Sequence, residues 1–373
     1  MPVLQKILVS DFRNVSFAAL EFCDGVNCIC GSNGQGKTNL LDAVHYLCMT
    51  KSFLGIPDAM CRRWEAPQLS VAGTFLMRDG DVCRFSIVCS EGAKTVRRDD
   101  KVCKRLSEHI GVLPVVAVSP SDISMVSESG EERRRFFNAL LSQTDPQYMA
   151  ALQKYNRLLD QRNRILKEQS PDDTLLCVLD SQMSQCAAYV SERRSRAVLD
   201  MADDIRLHCR ALSGGEEEIS VSYRSDFADA PGGLEEVLRR NRRKDLYLNY
   251  TTAGVQRDDF IFEMNGHPLR RCGSQGQQKS FLVALKLAQY SLMTRACGYP
   301  PILLLDDVFD KLDATRTASL LDLVRGGGFG QIFISDTSRE RLGRAVGAAR
   351  GNVMYFNAVN GEFNPVGEEG ADG

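Results

Sequence analysis

Apolar residues come in short runs over the first hundred positions, and these runs predict β-strands. Runs of four or five residues lie at 6–9 and 26–30, and two further strands are expected at 70–77 and 83–89. The second run leads through GSNGQGKT into TNLLDAVHYL, where apolar residues recur at helical spacing. The chain therefore opens with strands and a strand-to-helix junction.

The middle of the chain changes to long helical periodicity, from about 147 to 167 and again from about 175 to 210. In the second segment a near-heptad apolar stripe runs through Leu179, Met183, Cys186, Val190, Ala197, Met201 and Ile205. The turn SPDD at 170–173 separates the two segments, which predicts an antiparallel helix pair. This pair either packs as the core of a second lobe or projects as a coiled arm.

Strand patterns return after the turn ADAPGG at 228–233. The predicted elements are a helix at 234–243, a strand at 257–264, a helix at 277–293 and strands at 302–305, 331–335 and 353–356. The alternation of strands and helices indicates an α/β domain that a mainly helical insertion splits in sequence.

The boundaries that follow from this pattern give three segments and a tail. We expect residues 1–118 and 246–364 to form the two parts of the α/β lobe, and 119–245 to form the helical insertion with its antiparallel helix pair. The tail at 365–373, which ends in GEEGADG, is expected to be disordered.

Composition narrows the class of protein. The chain has 373 residues, 43% of them apolar and 25% charged, which is ordinary for a globular protein. No apolar run approaches the ~20 residues of a membrane-spanning helix, and the N-terminus lacks the pattern of a secretory signal. Thirteen cysteines without a CxxC pair, and four histidines, disfavour disulfide and zinc sites. We therefore expect a cytoplasmic protein without a membrane partner.

One segment matches the phosphate-binding pattern G-x-x-x-x-G-K-[ST] at every position: Gly31, Ser32, Asn33, Gly34, Gln35, Gly36, Lys37 and Thr38. Glycines let the loop wrap closely, so that backbone N–H groups point at phosphate oxygens. The following helix presents its positive end to the anion. Lys37 is expected to reach the β- and γ-phosphates and Thr38 to ligate Mg²⁺, which makes ATP and Mg²⁺ the predicted cofactors.

A second carboxylate site follows the buried strand in PPILLLDDVFDKLD. Asp306 stands at the carboxyl end of that strand, where open α/β sheets place their ligands, and is the predicted magnesium ligand. Asp307 is the predicted catalytic residue, placed to polarise the attacking water. ABC-type ATPases carry the longer Glu at this position, so we expect slow turnover in which hydrolysis ends a bound state.

ABC-type ATPases complete their site with a helix-capping turn from a second subunit, and two segments compete for that role. LSGG at 212–215 is followed by three glutamates and a strand pattern, which favours a loop. The better candidate is a turn that opens a clear helix and carries Ser274, Gly276, Gln277 and Lys279. Asp313, just past the acidic strand, is the predicted dimer contact.

Gln68 and several basic clusters complete the set of candidates. Gln68 begins the strand after the phosphate-loop helix, and its amide oxygen is a candidate ligand of Mg²⁺ and a candidate catalytic group. A DNA interface has to rest on local charge, because the net charge is −2. The predicted DNA-binding residues are Arg133, Arg134, Arg239, Arg240, Arg242, Arg243 and Lys244. Nearby glutamates make intrahelical pairing the competing interpretation of these clusters.

The order and spacing of these motifs resemble the RecF family of bacterial recombination-repair ATPases, which is related to SMC proteins. The resemblance covers nearly the whole chain. It rests on DFRN at 11–14, GSNGQGKTNLLDAVHYL, SPSD at 119–122, EERRRFFNALL, YNRLLDQRNRIL, YTTAGVQRDD, SQGQQK and LLLDDVFDKLD.

The resemblance implies the fold of a P-loop ABC/SMC-type ATPase head and the function of an ATP-dependent DNA clamp. In such proteins ATP closes a homodimer on duplex DNA near single-strand gaps or junctions, and weak, DNA-stimulated hydrolysis releases it. Family members act with RecR and RecO to load RecA and contribute to the SOS response. By residue, the resemblance places Arg13 near the nucleotide and Ser274, Gly276 and Gln277 against the nucleotide of the second copy.

Two other classes of protein share parts of this pattern. The ATPase subunit of an ABC transporter has the same phosphate loop, signature turn and acidic strand, but it lacks the insertion and the basic clusters. A small-molecule kinase has the phosphate loop but needs a substrate pocket and no signature turn. Retention on DNA in the presence of ATP would distinguish a RecF-like protein from a transporter subunit and from a small-molecule kinase.

Overall fold

The computed structural model describes residues 1–128, 130–213, 217–311, 314–325, 328–346 and 352–366. Three predictions from the sequence fall wholly or partly outside this range: the dimer contact Asp313, the glycines of the LSGG segment, and all but the first two residues of the tail. The strands and helices below are numbered in chain order.

The strands are β1 (Val3–Phe12), β2 (Val15–Glu21), β3 (Val26–Cys30), β4 (Gln68–Leu76), β5 (Val82–Ser90), β6 (Ala93–Arg98), β7 (Lys101–Val102), β8 (Val115–Val118), β9 (Ile219–Arg224), β10 (Asp259–Met264), β11 (His267–Pro268), β12 (Ile302–Asp306), β13 (Ile332–Asp336), β14 (Val353–Val359) and β15 (Glu362–Val366). The helices are α1 (Lys37–Met49), α2 (Asp58–Cys61), α3 (Ser124–Ser127), α4 (Gly130–Thr144), α5 (Pro146–Ile165), α6 (Asp173–Ser213), α7 (Gly233–Leu248), α8 (Leu269–Cys272), α9 (Gln275–Cys297), α10 (Ala314–Arg325) and α11 (Arg339–Val346).

The chain divides into two compact units. The first comprises Met1–Ile123, Leu207–Glu216 and Ser274–Gly373, and the second comprises Ser124–Arg206 and Glu217–Gly273. The predicted boundary at 245 differs from this division, because β10 pairs with β9 along its whole length and so holds 246–273 in the second unit. Strand pairing between distant segments carries no signal in local hydrophobic spacing, which explains the difference.

Two six-stranded sheets build the first unit. One is an antiparallel sheet in the order β2-β1-β4-β5-β6-β7, and the other has the order β15-β14-β3-β13-β12-β8. The second sheet is parallel except for its edge strand β15. Its parallel strands bring the carboxyl ends of β3, β12 and β13 to one edge, where ligands bind in sheets of this kind.

Helix α1 packs against both sheets of the first unit. Its apolar face, predicted from helical spacing, is fully buried: Leu40, Leu41, Val44 and Leu47. A Cβ at Gly73 of β4 would lie 2.5 Å from Cδ2 of Leu47, so glycine lets the helix approach the antiparallel sheet closely. The helix that follows the phosphate loop is therefore buried between the two sheets.

The side chain of Gln331 joins the two sheets of the first unit. Its Oε1 accepts from the Leu4 backbone N–H at 2.8 Å, and its Nε2 donates to the carbonyls of Leu4 at 2.8 Å and Cys23 at 2.7 Å. Gln331 is completely buried, and all of these bonds run between segments that are distant in sequence.

The second unit combines helices α4 to α7 with the small sheet β11-β10-β9. Helices α5 and α6 run antiparallel, as predicted, because Arg162 near the end of α5 contacts Asp180 near the start of α6. Asp145 at the start of α5 contacts Arg193 farther along α6. The predicted stripe of α6 is buried at all seven positions, so these helices are core elements within this unit.

Two buried arginines organise the polar interior of the second unit. Arg162 bonds the carboxylates of Asp180 at 2.6 Å and Asp245 at 2.8 Å. Arg194 bonds Asp258 at 2.8 Å and the Tyr148 hydroxyl at 3.1 Å. Each buried guanidinium thus has an acidic partner, which removes most of the cost of burying the charge.

Candidate functional site

The phosphate loop joins the end of β3 to the start of α1 as the sequence predicts. Gly34 and Gly36 have φ angles of 79° and 102°, the left-handed region that favours glycine. Helix α1 begins without a side-chain cap and without an acidic residue in its first turn. In the described structure its first N–H groups therefore have no side-chain cap, which is typical of helix N-termini that bind anions.

Asparagine and glutamine side chains brace this loop from neighbouring segments. Asn14 donates to the carbonyl of Gly34 at 3.4 Å and accepts from Asn39 at 2.5 Å. Gln35 accepts from the backbone N–H of Asn360 at 2.6 Å. The sequence reasoning assigned no role to Asn14 and Asn360, although Asn14 belongs to the motif DFRN. Their bonds connect the phosphate loop and the start of α1 to the segments around residues 14 and 360.

Lys37 folds back over the loop that precedes it. Its Nζ donates to the carbonyls of Gly31 at 2.8 Å and Ser32 at 3.2 Å, and it lies 3.8 Å from Oδ1 of Asp307. The lysine charge is buried beside the loop, close to where the pattern predicts phosphate oxygens.

The carboxylate of Asp306 accepts hydrogen bonds from two hydroxyl groups. Thr38 Oγ1 donates to it at 2.9 and 3.0 Å from the two carboxylate oxygens, and Ser335 Oγ donates at 2.8 Å. Burial raises the pKa of Asp306 to about 6, against the lowering effect of these bonds, and the neighbouring charge of Asp307 raises it further. A hydroxyl beside a buried carboxylate is a donor set of hard oxygen atoms that suits Mg²⁺.

Asp307 continues directly from β12 with a φ of 42°, an unusual conformation for a residue other than glycine. Its backbone N–H donates to Ser335 Oγ at 3.0 Å, so this serine holds both aspartates. Sequence reasoning missed Ser335. The available signal was its place at the end of the strand that pairs with β12, where it is opposite Asp306 in register.

The signature turn predicted at Ser274 caps helix α9. Ser274 Oγ accepts from the N–H of Gln277 at 3.2 Å, and Gln277 Oε1 accepts from the N–H of Ser274 at 2.8 Å, which together form a capping box. The turn includes Gly276, and Lys279 follows one turn later. Contact of this turn with the nucleotide of a second copy stays a prediction, since the structure describes one chain.

Gln68 lies outside the parallel sheet that carries Asp306, and its role toward Mg²⁺ stays a prediction. Gln68 begins β4 in the antiparallel sheet, where it pairs with Ser90 and is exposed. One of the two strands beside β12 is β8, and the segment after β8 carries Ser119 and Asp122. Gln68 follows the phosphate-loop helix in sequence, whereas in the sheet the end of β8 lies beside the strand that ends at Asp306.

Arg13 lies in the turn between β1 and β2, next to the loop-bracing Asn14. It has a φ of 54°, and its Nη1 is 3.9 Å from the fully buried carboxylate of Asp42 on α1. Burial raises the pKa of Asp42. The arginine therefore sits beside the phosphate-loop helix, and its contact with the nucleotide stays a prediction.

Three of the arginines predicted to bind DNA are held by partners inside the second unit. Arg133 makes a two-pronged bond to Asp259 at 2.9 and 3.1 Å, and Arg134 donates to the carbonyl of Asp258 at 2.7 Å. Arg242 bonds Asp180 at 2.8 Å. These contacts engage the three side chains within the unit, and their contact with DNA stays a prediction.

The other four predicted cations form an exposed surface on α7, here called the α7 basic face: Arg239, Arg240, Arg243 and Lys244. Arg239 and Arg240 both bond Glu236 at 2.7 Å. Among the described residues Arg243 and Lys244 have no ion pair, and the exposed Tyr247 lies one turn farther on. This helix face is available for an external anion.

No helix in the described part of the chain is long and apolar enough to cross a membrane.

Comparison with known proteins gives a consistent set of relatives. The family model of the AAA domain matches residues 6–185. DNA replication and repair protein RecF of Porphyromonas gingivalis is 41% identical over 362 residues, which is 97% of this chain and 99% of the relative. The RecF protein of Bacteroides thetaiotaomicron is 36% identical and covers 98% of this chain and 100% of its own length.

Solved structures agree with these relatives. A structure of the recombination mediator protein RecF with ATP in the RecFOR pathway has a TM-score of 0.88 at 28% identity, covering 98% of each chain. The Smc head domain of Pyrococcus furiosus has a TM-score of 0.57 at 14% identity and covers 98% of this chain and 96% of its own. The second likeness concerns the fold alone. Together they confirm the predicted fold class, an ABC/SMC-type ATPase head with a mainly helical insertion.

Proposed function

The chain belongs to the RecF family of DNA replication and repair proteins, and from this premise we propose that it is an ATP-dependent DNA-binding switch. ATP closes a homodimer on duplex DNA near single-strand gaps, and slow, DNA-stimulated hydrolysis opens it. In the cytoplasm the closed dimer works with RecR and RecO to help load RecA and contributes to the SOS response.

The observation that carries the proposal is the meeting of Thr38 with Asp306. These residues are 268 positions apart, yet the hydroxyl and the carboxylate lie within 3.0 Å of each other. Their oxygen atoms would hold Mg²⁺, and the phosphate loop would hold the triphosphate of ATP. Bound Mg²⁺ would neutralise charge on the β- and γ-phosphates.

The chain's own groups supply the remaining parts of the site. Backbone N–H groups of Gly31–Lys37 cradle the phosphates, and Lys37 leaves the loop carbonyls to bind the β- and γ-phosphates. Asp307 orients the attacking water. Its side chain is short and its backbone is turned sharply, which favours slow turnover. A turnover of many per second would contradict this part.

The second half of the site comes from the other copy of the chain. The signature turn at Ser274, Gly276 and Gln277 points helix N–H groups at the γ-phosphate held by its partner, and Lys279 adds a cation. Asp313 is proposed as a contact between the two copies. ATP then bridges the copies, so its hydrolysis dissolves the dimer.

DNA is proposed to bind to the α7 basic face. Exposed cations bind phosphates without reading sequence and release counterions as they do so. Arg243 and Lys244 are the principal contacts because no described acidic group neutralises them, and Arg239 and Arg240 contribute less because Glu236 pairs with both.

Sedimentation with and without ATP, Mg²⁺ and duplex DNA tests the proposal. We expect wild type to dimerise with ATP, Lys37→Met to stay monomeric because it loses the nucleotide, and Ser274→Arg to bind nucleotide yet stay monomeric. A wild-type protein that binds ATP and remains a monomer on DNA would refute the switch.

A further inference from the structure

The hairpin turn between β14 and β15 lies against the phosphate loop. It consists of Asn360 and Gly361, whose φ angles of 52° and 84° are typical of the two-residue turns that Asn-Gly sequences form. The backbone N–H of Asn360 donates to Gln35 Oε1 at 2.6 Å, and that of Gly361 donates to the Gln35 carbonyl at 2.9 Å. Both N–H groups of the turn therefore bond a single residue of the loop.

Backbone segments pack closely around these two bonds. A Cβ at Gly361 would lie 2.5 Å from the carbonyl oxygen of Asn14, and a Cβ at Gly36 would lie 3.3 Å from Cα of Gly361. Gly361 itself is buried. The turn between β1 and β2, the turn between β14 and β15 and the phosphate loop therefore meet where there is no room for a side chain at Gly361.

The phosphate-binding pattern does not explain why Gln35 is held in this way, because the pattern leaves its position open to any residue. Within the loop the N–H of Gln35 donates to the Ser32 carbonyl at 3.4 Å, which is long for such a bond. The two bonds from the turn are shorter. A loop whose N–H groups are fixed in direction loses less conformational entropy when it binds phosphate, and its affinity is higher for that reason.

We propose that the turn Asn360-Gly361 is a positioning element of the nucleotide site: through Gln35 it fixes the backbone of the phosphate loop in the form that binds phosphate. This inference rests on the nucleotide site proposed above. The turn acts through Gln35 and does not touch the reacting atoms. It should therefore raise the affinity for nucleotide and have little influence on the rate of hydrolysis at saturating ATP.

Gly361→Ala tests this role. The new Cβ would meet the carbonyl of Asn14 and would strain a left-handed backbone, so the turn has to shift away from the loop. We expect the affinity for ATP and for ADP to fall about tenfold, while hydrolysis at saturating ATP stays within about twofold of wild type. Titration with a fluorescent ATP analogue and steady-state kinetics with duplex DNA measure the two quantities.

Gly266→Ala is the matched control, because the chain contains a second Asn-Gly turn. Asn265 and Gly266 join β10 to β11 in the second unit with φ angles of 51° and 74°, and a Cβ at Gly266 would point into open space. The control carries similar backbone strain without the contact, so its affinity for nucleotide should equal that of wild type. An equal loss of affinity in both glycine variants would refute the proposal.

Gln35→Met breaks the same contact from the side of the loop, since it removes the acceptor of the Asn360 N–H. We expect a loss of affinity of about threefold, and no further loss when the change is added to Gly361→Ala, because coupled residues are not additive. Additive losses would mean that the two residues act separately, which contradicts the proposal. Should Gly361→Ala not fold, Gln35→Met decides alone, and wild-type affinity in that variant is the contrary result.

The outcomes also separate this role from the nucleotide site itself. If the wild-type protein does not bind ATP, the proposed function fails. If wild type binds ATP and Gly361→Ala binds it equally well, the role of the turn is refuted while the nucleotide site stands. A rate at saturating ATP that falls as steeply as the affinity would likewise overturn the positioning role. Thermal unfolding of each variant confirms that the compared proteins are folded.

Discussion

Two buried charged clusters in this molecule differ in the partners of their carboxylates. In the second unit Arg194, 1% exposed, lies 2.8 Å from the carboxylate of Asp258. In the first unit Asp306, 3% exposed, receives hydroxyl groups from Thr38 and Ser335. Its chain neighbour is another aspartate rather than a cation.

The difference separates a carboxylate that the fold pairs with a cation from a carboxylate whose neighbours are hydroxyl groups and a second aspartate. Arg194 supplies a cation to Asp258 within the fold, although burial still raises the pKa of that carboxyl. At Asp306, burial raises the pKa to about 6 and the charge of Asp307 adds to the shift, so the ionised form is disfavoured until a cation arrives. Removing a charge should therefore destabilise the first cluster and stabilise the second.

The largest effect on stability is expected for Arg194→Met. It leaves the buried carboxylate of Asp258 without its cation, and we expect the free energy of unfolding to fall by about 3–5 kcal/mol. Urea denaturation at neutral pH measures the loss. Arg193→Met is the matched control: its partly exposed pair with Asp145 should be worth ~1 kcal/mol or less. Equal losses in both variants would contradict the comparison.

The opposite sign is expected for Asp306→Asn. The pKa of Asp306 is about 6 in the folded protein and 3.8 as a reference, so the ionised carboxylate opposes folding above pH 6. We expect the variant to gain about 3 kcal/mol at pH 8, a gain that declines as pH falls below about 6 and vanishes at pH values well below 4.

Denaturation at pH 8 and pH 4.5 without nucleotide measures this gain. Asp336→Asn is the control at the end of the adjacent strand, because Asp336 pairs with Arg341 at 3.0 Å and should lose stability instead. A loss of stability for Asp306→Asn at pH 8 would show that the ionised carboxylate of Asp306 stabilises the fold, and would contradict the comparison.

A smaller loss is expected for Ser274→Ala, which removes the cap of α9. The N–H of Gln277 loses its acceptor, and we expect a loss of about 1 kcal/mol in the free energy of unfolding. Thermal unfolding of the protein without nucleotide measures it. Ser274→Asp should retain most of the stability because a carboxylate also caps a helix, although its charge should repel the phosphate.

The smallest change in stability is expected for the double variant Arg243→Ala/Lys244→Ala, within about 0.5 kcal/mol of wild type. Its DNA affinity should fall, and the slope of log affinity against log salt concentration should decrease by about 2. Fluorescence anisotropy with labelled duplex DNA measures both. Arg196→Ala/Arg206→Ala removes the same charge from α6, and an identical loss of affinity there would refute the α7 basic face as the specific interface.

The sequence predicted the parts of the fold and site that depend on neighbours along the chain. The phosphate loop and the strand before Asp306 are such local patterns, and the buried stripe of α6 follows from spacing alone. Resemblance in the order of motifs extended this to the fold class, which the RecF relatives confirm and which leaves no place for the transporter or kinase interpretation.

What sequence reasoning missed depends on pairing between distant segments. The prediction for Gln68 rests on its place at the start of the strand after the phosphate-loop helix, and spacing along the chain does not indicate that this strand joins the antiparallel sheet. Arg133 and Arg242 look like free cations until the fold brings Asp259 and Asp180 to them. The sequence gives no local signal for Ser335 either, because only the register of β13 on β12 sets it opposite Asp306.

Gln331 has a consequence for chemical ageing of the protein. Its amide nitrogen donates to two backbone carbonyls, so deamidation to glutamate would set a carboxylate against the oxygens of Leu4 and Cys23. Such a lesion, a change of about one mass unit, would part the two sheets that the amide holds together. Complete burial shields the amide from water, and the first unit preserves this linkage for as long as it stays folded.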